Sequence, residues 1–88
     1  MVCDCCQKRK KLFESFAAIN HNNTQINLCA ECNDLAYKLR DAANEHKKDD
    51  FNKYLNEWKK RLKKPSNSFL YWEKDFIAPL EEKLNESE

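Results

Sequence analysis

Glycine is absent from the 88 residues, and the chain has only two prolines, two histidines and one methionine. Each scarcity removes a class of explanation. A glycine-rich phosphate loop is excluded, since such loops need backbone that can approach a ligand without a Cβ in the way. Tight turns must be made by Asn, Asp or Pro, and helix becomes the default between them. His21 and His46 stand in no recognisable arrangement of nucleophile and base, so an enzyme is not expected. No apolar run is long enough to span a bilayer, and no membrane association is expected. Nor does an apolar signal segment precede Cys3, which points to a reducing, cytoplasmic setting. The formal net charge is only +1, too small to make the whole chain a polyanion binder or an acidic tail.

What the chain does have is thiols. Cys3/Cys6 and Cys29/Cys32 form two Cys-x-x-Cys pairs separated by 22 residues, and Cys5 is a fifth thiol. Two residues between ligands let one tight turn aim both sulfurs at one point, and a second such turn completes a tetrahedron around zinc. With all four positions filled by protein, no site remains for water or substrate, so the expected Zn2+ is structural. A disulfide scaffold fits poorly, because the count is odd and nothing exports the chain. A thioredoxin-like redox pair lacks its βαβ setting. Cys5 is expected to be an exposed spare thiol, with replacement of Cys3 or Cys6 as ligand the alternative. Such a staple matters at this size, since a chain this short buries only about 60–65% of its extended surface.

The order of elements reads as knuckle, hairpin, knuckle, helix. Leu12 to Asn20 looks extended, His21-Asn22-Asn23-Thr24 reads as a turn, and Gln25-Ile26-Asn27-Leu28 alternates as a half-buried strand does. Ile26 and Leu28 would share a face with Phe16 and Ala18, or with Phe13 and Ile19 in the slipped register. After Cys32 the period becomes helical, through Leu35, Leu39, Ala42, Ala43 and His46. The helix mouth would stabilise thiolate charge at Cys29 and Cys32, with Lys8 and Arg9 screening the rest. Lys47-Lys48-Asp49-Asp50 is a break, with one long bent helix over 30–63 as the alternative. Helices are expected at about 49–63, capped by Asp49, and at about 68–86, capped by Ser68 and kinked or restarted at Pro79. The fold class is therefore α+β, with a four-cysteine module over 1–46 and a helical hairpin appended over 47–88.

Cys-x-x-Cys, a hairpin, then Leu-Cys-x-x-Cys opening a helix resembles a treble-clef zinc module. Cys3, Cys6, Phe16, Ile19, Leu28, Cys29 and Cys32 carry a local similarity to the zinc-binding domain of the Clp unfoldase ATPase and to the zinc modules of the activator of bacterial protein arginine kinase. Those modules commonly place Gly just after the first Cys pair, where this chain has Gln7. The resemblance covers residues 1–45 and leaves 46–88 unmatched. It implies a zinc that orients the hairpin and seats the first helix. It names no partner, because treble clefs serve DNA, RNA and protein binding alike.

Two binding readings follow. Trp58, Phe69, Tyr71, Trp72 and Phe76 make the last forty residues rich in the side chains that dominate protein interfaces. On that reading the chain is a small regulatory adaptor that docks on a protein partner, with self-association also open. The same rings could instead fill the space between two helices. The alternative is a zinc-dependent nucleic-acid binder using Lys8, Arg9, Lys10 and Lys11 together with Lys59, Lys60, Arg61, Lys63 and Lys64. Residues 33–64 carry ten Lys/Arg against six Asp/Glu, whereas 65–88 carry two against six. The acidic end could neutralise the basic one, and basic side chains in the last turn also suit a helix dipole.

Overall fold

A computed structural model describes residues 1–86 of the chain. Two strands and three helices follow one another: β1 (Ala17–His21), β2 (Thr24–Leu28), α1 (Ala30–Asn44), α2 (Lys48–Arg61) and α3 (Asn67–Asn85). The α+β class stands. No described helix is long and apolar enough to cross a membrane.

The hairpin closes where the sequence places it. His21 pairs with Thr24, leaving Asn22 and Asn23 as a two-residue loop with φ of 48° and 64°. Two successive left-handed residues match the right-handed twist of the flanking strands, and Asn accepts that conformation in the absence of Gly. The register differs from the first expectation. Ala17 faces Leu28 and Ile19 faces Ile26, so Ile19 rather than Ala18 shares the buried face. The slipped register is right for Ile19 and wrong for Phe13, which precedes the strand and stays in solvent. Extended structure begins only at Ala17, because residues 11–14 form a turn instead.

α1 and α2 are separate helices. His46, at φ 57°, reverses the chain between them, and the Lys47 amide returns to the Ala42 carbonyl at 2.9 Å. Asp49 does not cap α2; the helix starts at Lys48 with no side-chain cap. In α3 the cap is Ser66, whose Oγ accepts from the Phe69 amide at 3.1 Å, and not Ser68. Pro79 neither ends nor restarts α3, which runs through it with the proline exposed.

α2 and α3 meet through their aromatic side chains, and both also pack on α1, with α3 touching β2. One set of buried side chains runs from Cys3 to Leu84, across the turn at 46. Its centre is aromatic. Trp58 lies 6.1 Å from the rings of both Phe69 and Trp72, and Trp72 stacks on Phe76 at 5.2 Å. The Trp58 indole N–H is satisfied by the Glu73 carboxylate at 2.8 Å. Trp58 and Phe69 are fully buried and Trp72 nearly so, which corrects their assignment as a docking surface. Their area is spent bridging α2 to α3. Of the five rings only Tyr71 is largely exposed, while Phe76 is half-buried.

His46 gives a test of turn strain. A left-handed residue costs about 1–2 kcal/mol when it carries a Cβ. His46→Gly should therefore raise the unfolding free energy by about 1 kcal/mol in urea melts, and His46→Val should lower it by a similar amount.

Candidate metal centre

The first knuckle is shaped by its backbone. The Gln7 amide donates to the Cys3 carbonyl and the Cys3 amide to the Lys8 carbonyl, both at 2.9 Å. Gln7 takes φ 64°, a left-handed conformation that glycine adopts at least cost. A bridge between Val2 and Arg9 closes the base of the turn. Asp4 then fastens the knuckle to the hairpin. Its amide donates to the Asn27 carbonyl at 2.8 Å, and its carboxylate accepts from the Asn27 amide at 2.6 Å. Sequence reasoning passed over Asp4. Its place between two cysteines, opposite a strand with an open edge, was the available signal.

The second knuckle is the mouth of α1. Cys29 is its N-cap residue, and its carbonyl accepts from the Asn33 amide at 2.9 Å. Cys32 lies in the first turn, on the face that Leu35 and Leu39 continue into the core.

Together these turns bring the sulfurs of Cys3, Cys6, Cys29 and Cys32 within 4.8 Å of one another. Cys6 and Cys29 are 3.7 Å apart. A tetrahedron with metal–sulfur bonds of about 2.3 Å has an edge of about 3.8 Å, so this pair already sits at ligand spacing. Cys3, Cys29 and Cys32 are fully buried and Cys6 partly so. The four cysteines expected as ligands are thus the four the fold assembles, and the cluster can hold a metal ion. Cys5 is a correction. It is fully buried rather than exposed.

The charges around the cluster also differ from expectation. Lys8 is engaged by Glu14 at 2.6 Å, which raises the lysine's pKa and lowers the carboxylate's. Arg9 is exposed. The donor that reaches sulfur is Arg61, from the end of α2: its Nε lies 3.3 Å from Cys32 Sγ and its Nη2 3.0 Å from Glu31. This contact raises the Arg61 pKa and pulls that of Cys32 down. One residue of the supposed phosphate-binding set therefore serves the sulfurs instead. His21 bonds to Asp75 at 3.0 Å and is no ligand, and His46 is exposed beyond α1.

Three of the four clustered thiols, Cys3, Cys6 and Cys32, are shifted toward the protonated form. Cys3 is pushed up to about 12, first by its hydrogen bond with Cys32 and then by burial. Cys6 is raised chiefly by burial. For Cys32 the strongest influence, from Cys3, is downward, but Cys5 and burial outweigh it and the net shift is upward. A cation entering among these sulfurs must displace the protons, so binding weakens as pH falls.

Comparisons with family models, with curated proteins and with solved structures find no match.

Three measurements check the centre. Calorimetric zinc titrations at pH 7 in buffers of differing ionisation enthalpy should report release of roughly three to four protons per ion. Cys29→Ser or Cys32→Ser should lose the metal and the native chemical shifts of residues 1–45. Arg61→Ala should keep the fold but weaken zinc by about 10- to 100-fold in competition with a chromophoric chelator.

Proposed function

We propose that the chain is a small zinc-stapled adaptor that acts by binding a protein segment and carries out no chemistry of its own. The observation that supports this is the closed donor set. Four sulfurs satisfy a tetrahedral zinc ion and leave no position for a substrate. Thiolate-only coordination favours zinc over the harder divalent ions. The order of knuckle, hairpin, knuckle and α1 supports a treble-clef reading, and with it the likeness to the modules of the Clp unfoldase and the arginine kinase activator. Five free thiols suit a reducing, cytoplasmic setting.

With Trp58 and Phe69 committed to the core, the docking surface moves to the other side of α3. There a groove of about 300 Å³ runs between β1, α1 and α3. Ala17 and Ile19 form one wall, Ala36 and Tyr37 the floor, and Trp72 and Phe76 the other wall. Among the described residues β1 pairs only with β2, so its outer edge offers unpaired backbone donors and acceptors. Asp4 occupies the corresponding edge of β2. An open edge beside an apolar groove suits an extended peptide, which adds as a strand and lowers alternate side chains into the groove. Arg40, at the rim and stacked on Tyr37 at 4.7 Å, favours a segment with an acidic residue.

Selection from a displayed peptide library should enrich sequences with apolar residues at alternate positions. Adding such a peptide to labelled protein should shift the amides of 17–19, 36–40 and 72–76. Tyr37→Ala should weaken binding roughly tenfold, since rings of this kind anchor interfaces. Enrichment of peptides that perturb a different face, or of none, would remove this reading.

A further inference from the structure

We infer that the first knuckle seats a binding site for single-stranded nucleic acid, built from two basic segments that lie fifty residues apart in sequence and from the bare ring of Phe13. The site shares no residue with the peptide groove and does not depend on it.

The two segments meet through backbone hydrogen bonds. The Cys3 amide donates to the Lys8 carbonyl, and the Lys10 amide to the Met1 carbonyl, both at 2.9 Å. From the other side the Lys63 amide donates to the Cys5 carbonyl at 2.8 Å. Residues 1–5 thus have the run 8–11 on one flank and the end of α2 on the other. Within this set Lys8 and Arg61 are taken, by Glu14 and by Glu31 with Cys32. Arg9, Lys10, Lys11, Lys59, Lys60, Lys63 and Lys64 are exposed, and none forms an ion pair among the described residues. Lys10 and Lys63 are fixed beside the knuckle by main-chain bonds, with Lys11 and Lys64 next to them, so these cations form a fixed positive surface, unlike a run that merely trails in solvent.

The loop between knuckle and hairpin adds what a plain basic surface lacks. The Glu14 amide donates to the Lys11 carbonyl at 3.1 Å, so Leu12 and Phe13 are the central residues of a tight turn. Glu14 locks that turn. Its carboxylate accepts from the Lys11 amide at 3.0 Å and from Lys8 Nζ at 2.6 Å. The tip positions usually go to Asn, Asp, Gly or Pro. Here they hold Leu12, 84% exposed, and Phe13, 96% exposed. Phe13 contributes nothing to the core, so the fold gives no reason for it. A pinned aromatic ring flanked by Lys10 and Lys11 is how sequence-tolerant single-strand binders capture a base while cations track the phosphates. A single ring on a turn is neither the helix nor the ribbon that reads a duplex groove.

The test uses the full chain as purified, with fluorescence polarisation of labelled oligo(dT) and oligo(rU) of about twelve nucleotides, within the span such sites cover. Binding should fall with salt at a log–log slope of about −3 to −5, as four to seven phosphate contacts require. Phe13→Ala should weaken binding by roughly 5- to 100-fold and leave the slope unchanged. The pairs Lys10→Ala/Lys11→Ala and Lys63→Ala/Lys64→Ala should each flatten the slope by about 1.4. All these side chains are exposed, and unchanged circular dichroism confirms the fold. No binding at low salt overturns the proposal. So does indifference to Phe13→Ala, which marks a nonspecific cationic surface. Displacement of the oligonucleotide by phosphatidylserine vesicles, with Phe13 needed for the vesicles alone, assigns the face to a membrane and overturns it as well.

Discussion

Cys3 and Cys6 lie on a turn near the start of the chain, and Cys29 and Cys32 at the mouth of α1. Where their sulfurs converge fixes how the two turns face each other, and most other contacts depend on that. The hairpin spans the turns, so its tilt follows from their separation. Asp4 extends the constraint to the edge of β2, and Lys63 and Arg61 extend it to the end of α2. Three segments distant in sequence meet at one point where the packed volume is mostly sulfur. Hydrophobic burial alone would hold such a point weakly, because a thiol buries little area. A cation bound by all four sulfurs would contribute roughly 10–16 kcal/mol, more than the net stability of most small domains.

With a divalent ion bound, the electrostatics of the sulfur cluster would favour the return of α2 to it. Four thiolates around a divalent ion carry a net charge of −2. The amides at the start of α1 oppose that charge, but the carbonyls ending α2 reinforce it. Bringing the end of α2 toward the sulfurs would be unfavourable without a cation between them. Arg61 lies there, with one nitrogen on Cys32 and another on Glu31. Its planar fork serves sulfur and carboxylate at once, which a lysine ammonium cannot do in the same geometry. The last turn of α2 therefore does two jobs. Arg61 faces inward to the sulfur cluster, while Lys59, Lys60, Lys63 and Lys64 remain in water.

Local chemistry was legible in the sequence, and the contacts that join distant segments were not. The ligand set could be read because Cys-x-x-Cys spacing is itself a geometric statement. The Asn22-Asn23 turn could be read because few residue pairs tolerate two left-handed positions. The break near 47 showed as the charged run Lys47-Lys48-Asp49-Asp50. The strand register was ambiguous because Phe16, Ala18 and Ile19 offer competing alternations, and only the loop length between the strands decides. The role of Arg61 depends on α2 running back along α1, which no local pattern encodes. Trp58, Phe69 and Trp72 were assigned to an interface because aromatic enrichment looks alike in a core and on a docking face. Burial separates the two, and burial is a property of the assembled chain. Phe13 erred the other way, as an apolar residue assigned to a strand by its neighbours that the turn at 11–14 leaves in water.

The missing glycine links these observations. Gln7, Asn22, Asn23, His46 and Lys64 all adopt positive φ, and each carries a Cβ into a region where it is crowded. Asn bears this most easily, because its short side chain can bond locally. Gln, His and Lys do not share that advantage. Their cost, about 1–2 kcal/mol apiece, is a large share of what so small a core can supply. Two of the three flank the sulfur cluster: Gln7 closes the first knuckle, and Lys64 follows the residue that bonds to Cys5. Strain stored beside a metal site persists only while the surrounding bonds over-determine the geometry. Turn strain would thus be coupled to the affinity for any cation that the four sulfurs hold. A glycine at either position would relax the turn and make the folded state less dependent on a cation bound by the sulfurs.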